Sequence, residues 1–283
     1  MERQPPGGSS PSIRTPPRLK CMIRSRTRTA AAALLLCGSL PLLAACAPES
    51  APAEGTTPPK ATTQPETTTA PEQPEEPEEP AFDRQAHSVD DPASIWVVSN
   101  KQRPLSPLDF APEDLSMPEG VENQYSQPLR EPAARAVETL ISAAAADGLN
   151  VRIISAYRDY ATQVALYDGY VARDGQAAAD TYSARPGHSE HQTGLAVDFD
   201  DHGACYLASC FGETPAGAWL AEHAAEHGFV MRYPEGKQEV TGFMPEPWHF
   251  RYVGPELAQE MRASGVTTLE EFFGLPAAPD YAG

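Results

Sequence analysis

PGHSEHQTGLAVDFD, running from Pro186 to Asp200, places two histidines, three carboxylates and two glycines in one short segment. Its second half alternates. Leu195, Val197 and Phe199 fall on one side of an extended chain, Ala196 and Asp198 on the other. A strand over Leu195–Phe199 therefore buries one face and presents Asp198 from the other, with His191 entering it and Gly194 letting the chain turn.

Outward from this strand, Glu131–Ala146 (EPAARAVETLISAAAA) is Ala-rich with Val137, Leu140 and Ile141 at helical spacing, and Asp147-Gly148 stops it. Val151–Ser155 is β-rich and predicts a strand. Asp159–Val171 predicts a second helix, with Asp159 as N-cap and Val164, Leu166 and Tyr167 facing inward. Ala216–His227 predicts a third helix closed by Gly228, and Phe229–Arg232 and His249–Val253 predict further short strands. Helices and strands mixed without a βαβ rhythm imply an α+β fold, a small antiparallel sheet carrying the site with helices flanking it.

Three segments follow from composition: residues 1–45, 46–90 and 91–283. In the first, Arg24, Arg26 and Arg28 precede the apolar run Ala30–Leu43, which ends in Leu43-Ala44-Ala45-Cys46. Such a run, too short to span a bilayer and ending in small residues at a cysteine, resembles a bacterial lipoprotein signal peptide cleaved before a lipid-modified Cys46. Met22 stands just ahead of the arginines as an alternative start. Residues 46–90, rich in Pro, Thr and Glu, cannot bury a core and predict a disordered, semi-stiff tether between the anchor and the folded part. The chain carries 39 acidic and 21 basic residues, a net charge of -18. Removing residues 1–45, with seven bases and one acid, leaves 38 against 14, or -24. That balance argues against nucleic acid as a partner. Of five cysteines, only Cys205 and Cys210 lie in the folded part. An exported setting favours a disulfide between them, and their spacing does not suit a zinc pair.

Three constellations compete for a metal. His223-Ala-Ala-Glu226-His227 matches the inverted zinc-protease helix pattern, with both histidines on one helical face. Against it, His227 lies in a last turn, where it suits exposed carbonyls, and Trp219 on the same face reads as packing. His188-Ser-Glu190 with Cys205 and Cys210 is suggestive of zinc deaminases, but those need a proline-cysteine pair with two intervening residues. The third set joins His191 and Asp198 to PEPWHFRYVG, which contains Glu246, Trp248 and His249. Two imidazoles and one carboxylate leave one zinc position open, as catalytic sites do. Pro247 keeps Glu246 and His249 out of a helix interior, so this half of the set is a turn entering a strand.

SEHQTGLAVD (Ser189–Asp198) together with EPWHFRYVG (Glu246–Gly254) resembles the zinc D-alanyl-D-alanine carboxypeptidases of the VanY type, whose fold is shared with D,D-dipeptidases and the Hedgehog signalling domain. The resemblance extends over NKQRPL (Asn100–Leu105), SAYRDYATQVALY (Ser155–Tyr167) and GFVMRYPEGK (Gly228–Lys237). It implies that His191, Asp198 and His249 bind one zinc ion and that Glu246 is the base. It also implies Gln163 and Ser189 as substrate contacts. Arg158, just after a strand, is a candidate carboxylate clamp on its own chemistry, because guanidinium pairs with carboxylate bidentately. The bland alternative is an ion pair with Asp159 or Asp168. Arg185, Tyr157, Trp248 and Tyr252 are further candidates to line a pocket.

The expected activity is removal of the terminal D-alanine from peptidoglycan stem peptides by a lipid-anchored enzyme of the cell envelope. Two alternatives are an L,D-carboxypeptidase acting on tetrapeptides and a non-catalytic zinc- or muropeptide-binding module.

Overall fold

The computed structural model describes residues 82–282. The signal segment, Cys46 and most of the expected tether lie outside the described residues. A two-stranded antiparallel ribbon, β1 (Leu115–Ser116) with β2 (Leu129–Arg130), leads directly into helix α1 (Glu131–Ala146). A proline in the first turn and Asp147 at the C-cap bound α1. Strand β3 (Arg152–Ser155), helices α2 (Tyr160–Asp174) and α3 (Gln176–Ala179), and strand β4 (Ala196–Asp200) follow. Helix α4 (Pro215–His223), strand β5 (Phe229–Met231), helix α5 (Gln238–Thr241) and strand β6 (His249–Tyr252) come next. Helices α6 (Pro255–Ser264) and α7 (Leu269–Phe273) close the chain.

The main sheet is antiparallel throughout, in the order β3-β4-β6-β5. Val197 pairs with Phe250 and Asp198 with His249. The pleat therefore sends Val197, Phe199, Phe250 and Tyr252 to one face and Asp198, His249 and Arg251 to the other. On the first face these apolar residues join Ala133, Val137, Leu140, Ile141 and Ala144 of α1 in one buried cluster. A second cluster packs Trp96 and Val98 against Val253, Leu257, Met261, Leu269 and Phe272. Full burial of each of these large side chains contributes roughly 1.5–3 kcal/mol.

Four expectations change. Ala196 and Asp198 are buried like their neighbours, because the second face of β4 is largely covered by protein and Asp198 meets only the cleft, with 6% of its surface exposed. Helix α2 buries Gln163 and Tyr167, whereas Val164 and Leu166 are only half-buried, since α2 flanks an open cleft that Leu166 lines. The third helix is α-helical only to His223 and tightens into a 3-10 turn over Ala224–His227, so its two histidines do not share an α-helical face. Last, the folded part begins earlier than residue 91: Phe82 stacks on Trp96 at 5.6 Å, and Val98 donates to the Val89 carbonyl.

Candidate metal centre

The register of β4 and β6 sets Asp198 and His249 side by side, and Asp198 Oδ1 lies 3.0 Å from His249 Nδ1. His191 reaches them from the 3-10 turn Glu190–Thr193, and its Nε2 lies 3.3 Å from Asp198 Oδ2. That turn ends at Gly194 with φ +68, where a Cβ would also crowd Leu115 and Arg130, so glycine is required for His191 to arrive in place. His191 Nδ1 is 2.7 Å from the Ala156 carbonyl, which fixes Nδ1–H as the donor and leaves Nε2 free.

One ligand atom from each of His191, Asp198 and His249 lies within 4.8 Å of the others, and all three residues are buried. Tetrahedral zinc with bonds of 2.0–2.1 Å needs donors about 3.4 Å apart. Asp198 Oδ1 is buried without a hydrogen-bond partner among the described residues. An orphaned carboxylate oxygen beside two imidazole nitrogens suits a divalent cation, and the donor set fits one zinc ion.

Glu246 stands in the turn that enters β6, where His249 N–H donates to the Glu246 carbonyl. Its Oε2 is 3.8 Å from His249 Nδ1. Burial raises the Glu246 carboxyl to about 8, with Asp198 adding repulsion and His249 and Arg158 opposing. Burial pulls the His249 imidazole down, but Asp198 and Glu190 outweigh it and raise it to about 9. Both values belong to the metal-free centre.

The centre opens onto a cleft of about 780 Å³ lined by Arg158, Gln163, Ser189, Tyr233, Glu246 and Trp248, among others. Arg158 Nη1 donates to Gln163 Oε1 at 3.0 Å, and Gln163 Nε2 donates to the Ala184 carbonyl at 2.6 Å. Among the described residues Arg158 makes no ion pair: Asp159 instead caps α2 by accepting from Thr162 N–H. Cys205 and Cys210 are bonded, and their loop brings Tyr206 and Leu207 to the cleft rim.

The rival constellations stay apart. His223 Nδ1 lies 3.4 Å from Glu226 and its ring stacks on Trp219, while His227 Nδ1 is 3.1 Å from Thr139 Oγ1. His188 Nδ1 contacts the Asn100 carbonyl at 2.8 Å. Of the extra lining candidates Trp248 lines the cleft, but Arg185 pairs with Asp180 and Tyr252 packs on Phe229. Two features were not anticipated. Tyr233 sits 4.9 Å from the His249 ring, and Glu190 is a fully buried partner of Arg232 and Arg251. Burial pushes the Glu190 carboxyl up, and the two guanidiniums more than reverse this, holding it well below the usual carboxylate range.

A His-Asp-His cluster with an adjacent carboxylate, set in a cleft on an antiparallel sheet, defines a metallopeptidase centre. The VanY family, D-alanyl-D-alanine carboxypeptidase, matches residues 126–255. The Bacillus subtilis protein YodJ is 36% identical over 194 residues, covering 66% of this chain and 69% of the relative. A structure of the LdcB LD-carboxypeptidase superposes with a TM-score of 0.61 at 37% identity, covering 65% of this chain and 87% of that one. The vancomycin-resistance D,D-pentapeptidase VanY, solved with Zn(II), gives a TM-score of 0.53 at 33% identity and covers 62% and 97%. The chain belongs to the VanY family of D-alanyl-D-alanine carboxypeptidases and is a zinc metallo-carboxypeptidase of that fold.

Proposed function

We propose that this protein removes the terminal D-alanine from peptidoglycan stem peptides ending in D-Ala-D-Ala, with His191, Asp198 and His249 as zinc ligands and Glu246 as the base. The observation that carries the reading is Arg158, a guanidinium without an acidic partner among the described residues, in the cleft that holds the metal cluster. A cation so placed selects substrates with a free C-terminal carboxylate beside the scissile bond.

Zinc supplies Lewis-acid polarisation and charge stabilisation at the peptide carbonyl. The chain's residues do the rest. Glu246 takes the proton from the attacking water and passes it to the departing amine, a role suited by its place in the cleft beside the cluster, 3.8 Å from His249 Nδ1. Gln163, tied to the Ala184 carbonyl, holds Arg158 in place, and buried Ser189 contributes a hydroxyl to the cleft wall. Asp198 would lower the net charge of a zinc-loaded cluster from +2 to +1, which eases its burial.

Similarity to the LdcB structure supports a second reading, L,D-carboxypeptidase action on tetrapeptides. Mass spectrometry of pentapeptide and tetrapeptide muropeptides incubated with the protein separates the two. Loss of alanine from pentapeptide alone supports the D,D reading; loss from tetrapeptide alone replaces it with the L,D reading.

We also place the protein outside the cytoplasm, anchored by lipid at Cys46, with the segment that follows spacing the domain from the membrane. The Cys205–Cys210 bond supports an oxidising compartment. No described helix is long and apolar enough to cross a membrane. Under this reading Cys46→Ala shifts the protein from the membrane fraction to the soluble fraction; unchanged membrane retention would overturn the anchor.

A further inference from the structure

Glu190 adjoins His191 in the chain but faces His249 in space. Its side chain is fully buried, and Oε1 accepts from Arg232 Nε and Arg251 Nη1, each at 2.9 Å. Arg232 continues to Glu270 through bonds of 2.7 and 2.9 Å. The other donors of Arg251 reach the carbonyls of Ile95, Val97 and Tyr252. Two carboxylates balance two guanidiniums, so the group sits in the interior without an uncompensated charge.

One atom of Glu190 is left over. Among the described residues Oε2 is buried and has no hydrogen-bond partner, and His249 Nε2, also buried and unpartnered, stands 3.7 Å away. The other ring nitrogen of His249 points at Asp198, 3.0 Å away. A buried N–H and a buried carboxylate oxygen are each costly when unpaired, and these two face each other at 3.7 Å, just beyond hydrogen-bond distance.

We propose that Glu190 is the positioning residue for His249: Oε2 takes the Nε2–H bond and fixes the tautomer whose Nδ1 is free to ligate, while Arg232 and Arg251 hold Glu190 in place. The inference rests on the reading of His249 as a ligand. It makes the buried charge cluster part of the metal centre and not only a feature of the core.

Zinc dissociation constants by chelator competition, on the full chain, test it. Glu190→Gln should weaken zinc binding about 10–100-fold, the usual effect of removing a group behind a ligand. Glu270→Gln removes a carboxylate from the same cluster but touches no ligand, and Arg232 keeps its bond to Glu190. It should lower the melting temperature and leave zinc affinity at the wild-type value. Where Glu190→Gln does not fold, the charge-balanced pair Glu190→Gln/Arg251→Met is measured in its place. In nitrogen-15 NMR of the zinc-loaded protein, a slowly exchanging His249 Nε2–H resonance should be present in wild type and lost in the variant. Equal zinc affinity losses for Glu190→Gln and Glu270→Gln, or none for Glu190→Gln, would overturn the positioning role. His249→Ala separates the two levels: retained zinc there overturns the ligand reading itself, whereas zinc loss there with unchanged Glu190→Gln overturns this inference alone.

Discussion

Asp198 and His249 stand opposite each other on neighbouring antiparallel strands, and the carboxylate Oδ1 lies 3.0 Å from the imidazole Nδ1. A paired register is a rigid way to set two donors, because a one-residue slip would turn either side chain to the other face. Asp198→Asn keeps the shape and removes the charge. Zinc affinity should then fall by more than about 100-fold, beyond the range expected for groups that only support a ligand. Metal content and competition titration read this directly, and a variant that keeps wild-type affinity would remove Asp198 from the ligand set.

Glu246 is not among the three residues whose donor atoms all lie within 4.8 Å of one another, yet its Oε2 is 3.8 Å from His249 Nδ1, a place that suits a base beside the metal. Glu246→Ala should retain zinc while turnover drops about 10²–10⁴-fold. A protein whose measured function is untouched by this change would be a binding module and not an enzyme.

Arg158 is held by Gln163 and by no acid among the described residues. Losing a charge-assisted contact of about 1.5–3 kcal/mol corresponds to roughly 10–150-fold. Arg158→Ala should lower kcat/KM by that factor on free-acid peptides. Amidating the peptide's C-terminus should produce a similar loss in wild type and little more in the variant; additive losses would show that Arg158 does not meet the carboxylate.

Much of this was legible in the sequence where the signal is local. Helix α1 follows from its apolar spacing, and the alternation of Leu195–Phe199 locates β4 to within a residue. The residues that meet at the centre come from two short motifs; donor chemistry makes them one of three candidate sets, and the family resemblance singles them out. What was not legible depends on distant partners. Glu190 lies inside the opening stretch, but its meaning is supplied by Arg232 and Arg251, which the chain reaches only much later. Val164 and Leu166 carry the same apolar signal whether α2 lies against a core or along a cleft. The switch from α to 3-10 geometry after His223 likewise leaves no local mark.

Asp159 caps α2, and the Thr162 hydrogen bonds hold its carboxyl below its ordinary value of 3.8. Asp159→Ala should cost about 1 kcal/mol at neutral pH. Because the folded value is depressed, this stabilisation is fully present above the unfolded value and is lost as pH falls through the folded one. Urea denaturation of both proteins should show the difference shrinking in acid; a difference that grows on acidification would contradict the cap.

His223 and His227 engage Glu226 and Thr139 and lie outside the cluster. Replacing both with alanine should leave zinc stoichiometry at one per chain by elemental analysis. Loss of the metal in that variant would move the centre to the inverted protease motif.

The most direct measurement is mass spectrometry of a stem pentapeptide ending in D-Ala-D-Ala after incubation with the zinc-loaded protein, with and without chelator. The predicted result is loss of a single alanine that chelator abolishes and added zinc restores. A folded, zinc-loaded protein that leaves the pentapeptide intact would contradict the proposed D,D-carboxypeptidase activity.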